Sequence, residues 1–114
     1  MKTSVQGVYA IGDIRAGIML AHVASYEGIV AAHNIAGEEL EMDYSAVPSI
    51  IFSSPEVAST GLKESDLKDR SDVVVSRFPL SANGRARTIL ESSGFVKVLA
   101  EHGTGRVLGM SKVS

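Results

Sequence analysis

Gly12 and Asp13 come directly after the short apolar run Val8-Tyr9-Ala10-Ile11, and Met19-Leu20-Ala21-His22 opens a helical stretch shortly afterwards. A carboxylate accepts hydrogen bonds and donates none, so Asp13 suits a ligand hydroxyl. The first amide N–H groups of a helix lack intrahelical partners, and the positive end of the helix dipole adds to their pull on polar or anionic groups. Glycine at position 12 permits a tight turn and close approach of the backbone to a ligand. The combination predicts a polar ligand held between a strand end and a helix N-terminus. Asp13 alone carries less weight: Gly-Asp after an apolar strand fits an ordinary turn better than a ligand contact.

Other residue types exclude several classes. With no cysteine, these 114 residues hold no disulfide, thiolate metal site or redox thiol. His22, His33 and His102 are not grouped at metal-ligand spacing, and no metal site is expected. The formal net charge is -2, with no Lys/Arg cluster, which argues against nucleic acid as a partner. No apolar run approaches the ~20 residues that span a bilayer, and no signal peptide is read, so no membrane partner is expected. Hydrophobic residues make up 45% of the chain, enough for a packed core.

A strand and a helix must position Gly12 and Asp13. Val8 to Ile11 is a short strand of the buried, parallel type, and residues 1–6 are a polar lead-in. Residues 19–36 are helical. Leu20, Val23, Tyr26 and Val30 mark a bulky side, while Ala21, Ser25, Gly28 and Ala32 line a face open to close packing. Gly37 stops the helix. The acidic stretch Glu38, Glu39, Glu41 and Asp43 reads as a solvated linker, with a domain boundary near residue 45.

Beyond it the pattern becomes strand-like. Val47 to Ser53 and Glu56 to Gly61 are extended around Ser54-Pro55. Leu62 to Arg70 is a short polar helix with Leu62 and Leu67 inward, its Glu64 and Asp66 suiting the dipole. Asp72 to Pro79 is a third strand, and residues 81–88 are a loop signalled by Asn83-Gly84. Arg85 and Arg87 on it read as surface arginines. Phe95 to Glu101 and Arg106 to Val113 pair as a hairpin across His102-Gly103-Thr104-Gly105. The expected class is α+β: an antiparallel sheet with a flanking helix, preceded by a strand-loop-helix piece.

VYAIGD, GIMLAH and the small-faced helix with Glu27-Gly28 are together similar to the flavin-binding segment of the dihydrolipoamide dehydrogenases, within the FAD-dependent pyridine nucleotide-disulfide oxidoreductases. VPSIIFSSPEVASTGL, RFPLSANGRAR and GFVKVLAEHGTGRVLG resemble the first part of the interface, or dimerisation, domain of that family. The resemblance covers nearly the whole chain, with the segments in the family's order. It implies that residues 1–45 are a piece of an FAD-binding domain and residues 46–114 most of a dimerisation domain. It implies FAD contacts at Gly12, Asp13, Met19, Leu20, Ala21 and His22. Asp13 would meet the ribityl chain, and Met19, Leu20, Ala21 and His22 would lie under the flavin pyrimidine edge, largely through backbone groups. Reduced flavin gathers negative charge there, which a helix N-terminus favours.

The resemblance further implies an NAD-dependent flavoenzyme, homodimeric through residues 46–114, that oxidises the lipoyl-bearing protein of a 2-oxoacid dehydrogenase or glycine-cleavage complex. The implied location is the cytoplasm, or the mitochondrial matrix in a eukaryote. The family's glycine-rich FAD fingerprint, redox cysteine pair, NAD domain and His-Glu pair are absent from this sequence. The chain therefore reads as a fragment, inactive alone and with no catalytic residue of its own. Two alternatives stand beside this: a free-standing interaction module, or a piece of a mercuric or glutathione reductase-like enzyme. Departures from the family pattern, Lys112 on the face of Leu108 and Met110 and Ser114 in place of a glycine, predict either a frayed last strand or an end that is not native. Lys63 also stands where the family has a helix-capping Ser or Thr.

Overall fold

Val23, Glu27, Val30 and Ala31 recur at the spacing of one helical face, and that face is buried in helix α1, Ala21–Ile35. The computed structural model describes residues 1–114, which form two units, Met1–Tyr44 and Ser45–Ser114. In the first unit, α1 is the central element. Of the expected bulky side only Val23 and Val30 are buried, whereas Tyr26 is 55% exposed. Among the small residues, Gly28 is the close-packing position: a Cβ there would meet the Ile11 side chain at 3.4 Å. Ala21, Ser25 and Ala32 are exposed.

The helix ends where Gly37, at φ +94°, turns the chain into the left-handed region. The Gly37 N–H donates to the Asn34 carbonyl and the Glu38 N–H to the His33 carbonyl, which satisfies carbonyls at the helix end.

Two expectations for this unit change. Val8 to Ile11 is not a parallel strand. Tyr9 forms a single antiparallel bridge to Lys2, the Thr3 N–H donates to the Val8 carbonyl at 3.1 Å, and the Ala10 N–H donates to the Met1 carbonyl at 2.9 Å. No parallel neighbour lies in this unit, so the backbone groups pair with residues 1–3, which are therefore no free lead-in. The acidic residues Glu38, Glu39, Glu41 and Asp43 are exposed, as expected of a solvated linker, but the stretch also makes specific contacts back to α1. Asn34 Nδ2 donates to the Leu40 carbonyl at 2.9 Å, His33 Nδ1 lies 2.7 Å from Glu38 Oε2, and the Tyr44 hydroxyl reaches back to α1.

The second unit is a five-stranded antiparallel sheet: β1 Ser49–Ile51, β2 Val57–Gly61, β3 Val73–Pro79, β4 Phe95–Glu101 and β5 Val107–Val113, in the order β1-β2-β5-β4-β3. The α+β reading holds. The β1–β2 turn contains a cis Ser54-Pro55 bond. Because β5 and β4 slot between β2 and β3, the connection after β2 must cross a sheet face to reach the far edge. That connection carries a 3₁₀ turn, Glu64–Leu67, rather than the expected helix over Leu62 to Arg70. Leu67 is buried, Leu99 of β4 is 2% exposed, and Lys97 Nζ meets Glu64 Oε2 at 2.7 Å. Leu62 is 45% exposed, against expectation, because its backbone and not its side chain lies on the sheet: a Cβ on Gly109 would sit 2.0 Å from the Leu62 carbonyl oxygen. The Lys63 N–H donates to Asp66 Oδ2 at 2.9 Å, so an aspartate one turn on anchors the start of this 3₁₀ turn.

The opposite face carries Ile50, Ala58, Lys112, Val96 and Phe78 in one cross-strand row. The last strand is not frayed. Lys112 pairs with Ala58 and Val96, and Ser114 and Glu56 exchange both backbone hydrogen bonds, at 2.7 and 3.0 Å. Ladder bonds use backbone, and a lysine stem tolerates an apolar neighbourhood.

Residues 81–88 are not all loop. A 3₁₀ turn, Leu80–Ala82, precedes the short helix α2, Gly84–Thr88, and Asn83 Oδ1 accepts from the Ala86 N–H at 3.0 Å as its N-cap. Asn83→Ala is expected to cost about 1 kcal/mol, read as a lower urea midpoint at unchanged slope.

Candidate functional site

Gly12 and Asp13 lie in a 3₁₀ turn, Gly12–Arg15, that packs against the first turns of α1. Gly12 has φ +69°, and a Cβ on it would lie 3.1 Å from the Ala24 Cβ. A side chain here would therefore meet both strain and the helix, which accounts for glycine. The Asp13 carboxylate is exposed and makes no hydrogen bond or ion pair within the chain, while its backbone carbonyl accepts from the Ala16 N–H at 2.9 Å. Leu20 is the N-cap of α1. No side chain caps that end, and the first turn holds no acidic residue. Ala21 and His22 open the helix and are exposed, and Met19 just before it is 66% exposed. The structure thus brings the Gly12–Asp13 turn onto α1 and leaves Asp13 and the helix start at the surface.

The residue that ties the turn to the helix is Glu27, to which no sequence motif assigns a role. It is 3% exposed, the one charged residue among the buried positions. Its Oε2 accepts from the Gly12 N–H at 2.7 Å. Its Oε1 accepts from the Tyr44 hydroxyl at 2.6 Å and from Arg15 Nη1, and Arg15 Nη1 also donates to the Tyr44 hydroxyl at 2.6 Å. The Tyr44 hydroxyl, then the Gly12 N–H and Arg15, hold the Glu27 carboxyl below its ordinary range in spite of burial. The same Tyr44 contact, with Glu27, raises the Arg15 guanidinium. A signal for Glu27 existed in the sequence: it shares a helical face with Val23, Val30 and Ala31, and a charge on an apolar stripe demands partners.

Arg70 forms a second ion-pair cluster, with Asp72 at 2.5 Å and Glu101 at 2.7 Å, where the segment before β3 meets the end of β4. Arg77 lies over the Phe95 ring at 5.3 Å. Both are sheet-bracing contacts. No group of His, Asp or Glu is arranged to hold a metal ion, and no helix is long and apolar enough to cross a membrane.

Residues 47–114 match a protein family described as pyridine nucleotide-disulphide oxidoreductase, dimerisation domain. The chain is 48% identical over 109 residues to a dihydrolipoyl dehydrogenase of Bacillus subtilis, covering 95% of this chain and 23% of that protein. The mitochondrial dihydrolipoyl dehydrogenase of Homo sapiens is 45% identical over 109 residues, covering 95% and 21%. The crystal structure of LpdA from Mycobacterium tuberculosis superposes with a TM-score of 0.88 at 31% identity, over 99% of this chain and 25% of that one. The chain spans about a quarter of the length of these relatives. The domain match runs through all five strands of the sheet, and the chain belongs to the pyridine nucleotide-disulphide oxidoreductase family, with its dimerisation domain matched at residues 47–114.

Proposed function

We infer that the chain works as part of a dihydrolipoyl dehydrogenase, in which residues 1–45 contribute to the FAD site and residues 46–114 to a homodimer. The observation that supports this best is the extent of the likeness: it takes in 109 of the 114 residues, so it includes the Gly12–Asp13 turn and α1 besides the sheet. The residues present fit FAD. Asp13 offers an exposed acceptor-only carboxylate suited to a ribityl hydroxyl, and the uncapped start of α1, with Met19, Leu20, Ala21 and His22, suits the electron-rich flavin edge. Gly12 lets the backbone come close. Bound FAD would supply electron transfer between a disulfide and NAD; this chain's residues bind and orient it.

The reducing substrate in this reading is a protein-bound dihydrolipoamide, and the location is cytoplasmic or, in a eukaryote, the mitochondrial matrix. In this reading the second unit self-associates. Its exposed sheet face carries Ile50, Val74, Phe78 and Met110, each at least 40% exposed, an apolar surface of the kind that marks interfaces.

The test is a chimera. Residues 1–114 replace the matched segment of the Bacillus subtilis enzyme, and FAD content, sedimentation and lipoamide-dependent NADH oxidation are measured. The chimera is expected to purify as a yellow, active dimer, and Asp13→Ala in it to lose FAD on dialysis. A folded dimer that holds no FAD would sink the flavin reading, and a concentration-independent monomer the dimer reading. The 114-residue chain by itself is expected to turn over no lipoamide even with excess FAD, because it contains no cysteine.

A further inference from the structure

Resting on the flavin reading, we propose that Glu27 is a positioning residue for FAD, one that orients the Asp13 carboxylate by gripping the turn on both sides of it. The turn Gly12–Arg15 contains Asp13. On one side, the Gly12 N–H donates to Glu27 Oε2 at 2.7 Å. On the other, the Arg15 guanidinium donates to Glu27 Oε1. The Tyr44 hydroxyl closes the triangle, donating to Oε1 and accepting from Arg15, each at 2.6 Å. One buried carboxylate on α1 thus fastens both flanks of a surface acid that has no partner inside the chain.

The physical need for such an anchor lies in Gly12. Glycine has the widest conformational freedom of any residue, and here it directly precedes the ligand-facing acid. Unanchored, it would leave the direction of Asp13 soft, and the cost of ordering it would fall on ligand binding. Stability alone is a weak reason to bury Glu27, because a well-packed apolar residue in place of a buried ion pair is often neutral or better. What an apolar residue lacks is an acceptor for the Gly12 N–H and the Arg15 fork.

The experiment is a double-mutant cycle on FAD affinity, with the full chain carried in the chimeric flavoenzyme. The variants are Glu27→Gln, Asp13→Asn and both together, with the dissociation constant read from flavin fluorescence. If Glu27 acts through Asp13, each single variant weakens FAD binding roughly tenfold, and the double variant remains near the Asp13→Asn value rather than at the product of the two. A Glu27→Gln value equal to the parent, or a double variant at about a hundredfold, overturns the proposal. Tyr44→Phe keeps the test open if Glu27→Gln fails to fold. Tyr44 is 37% exposed, so its loss is mild for folding, and its few-fold effect should also vanish in the Asp13→Asn background. Additive effects of Tyr44→Phe and Asp13→Asn overturn the proposal as well. A parent chimera that binds no FAD defeats the flavin reading itself, and that result is distinct from a bound flavin indifferent to Glu27.

Discussion

Gly109→Val is expected to unfold the Ser45–Ser114 unit. Gly109 lies in β5, opposite Leu99 of β4 and Gly61 of β2. The chain leaving β2 crosses directly above it. A Cβ at position 109 would lie 2.0 Å from the Leu62 carbonyl oxygen and 2.9 Å from the Leu62 nitrogen. These are backbone atoms, and they are tied down: the Leu62 N–H donates to the Leu108 carbonyl at 2.9 Å. A rotamer change cannot relieve the clash. Either the crossing segment lifts, exposing Leu99 and Leu67 and parting the Lys97–Glu64 pair, or β5 leaves its ladder. Overpacking a core costs about 1–3 kcal/mol where side chains can give, and a clash with anchored backbone exceeds that range. Domains of this size hold only about 5–15 kcal/mol in total. The variant should show a collapsed urea midpoint and, in the chimeric enzyme, no dimer by sedimentation. Parent-like stability would mean that Leu62 does not cross β5.

Glu27→Ala is expected to destabilise the Met1–Tyr44 unit by about 3 kcal/mol, because three donors lose one acceptor at once. The Gly12 N–H, the Tyr44 hydroxyl and the Arg15 guanidinium all converge on Glu27. The loss lies at the low end of buried-pair values because the Arg15 side chain is 30% exposed and water can reach it. The effect carries a pH signature. The Tyr44 hydrogen bond, then the Gly12 N–H and Arg15, lower the Glu27 pKa in the folded chain from its ordinary 4.5. A group lowered on folding stabilises above its unfolded pKa and loses that contribution as pH falls through the folded one. The gap between parent and Glu27→Ala should therefore be full at neutral pH and shrink as pH falls below about 4.5. Thermal melts of both proteins across that range measure it. A gap that stays constant with pH would mean that the Glu27 charge does not hold the turn.

Particular residues show where the fold was legible. Phe95 to Glu101 alternates around a clear turn at His102-Gly103-Thr104-Gly105, and β4 has the expected bounds, Phe95–Glu101. Gly37 ended α1 as read, because a left-handed C-terminal residue is a local requirement. Asn83 misled: Asn-Gly is a turn signal, but here the asparagine caps α2, a choice that depends on whether residues 84–88 turn helical. Val8 to Ile11 also misled. Its composition fits a buried parallel strand, and ladder partners are not encoded in the strand itself.

Legible along the chain were the order of the elements, the antiparallel α+β character of residues 46–114 and the placing of Gly12 and Asp13 ahead of a helix. Periodicity, turn residues and caps act within a few positions, so they can be read along the chain. Three features emerge with the folded chain alone: which residue holds the Gly12–Asp13 turn, how residues 38–44 return to α1, and the room that a glycine in β5 makes for the backbone of Leu62. These depend on partners brought together across 15 residues for Gly12 with Glu27, 17 for Tyr44 with Glu27, and a strand order in which β5 separates β2 from β4. A buried carboxylate takes whatever donors the fold delivers to it, and no local pattern names them.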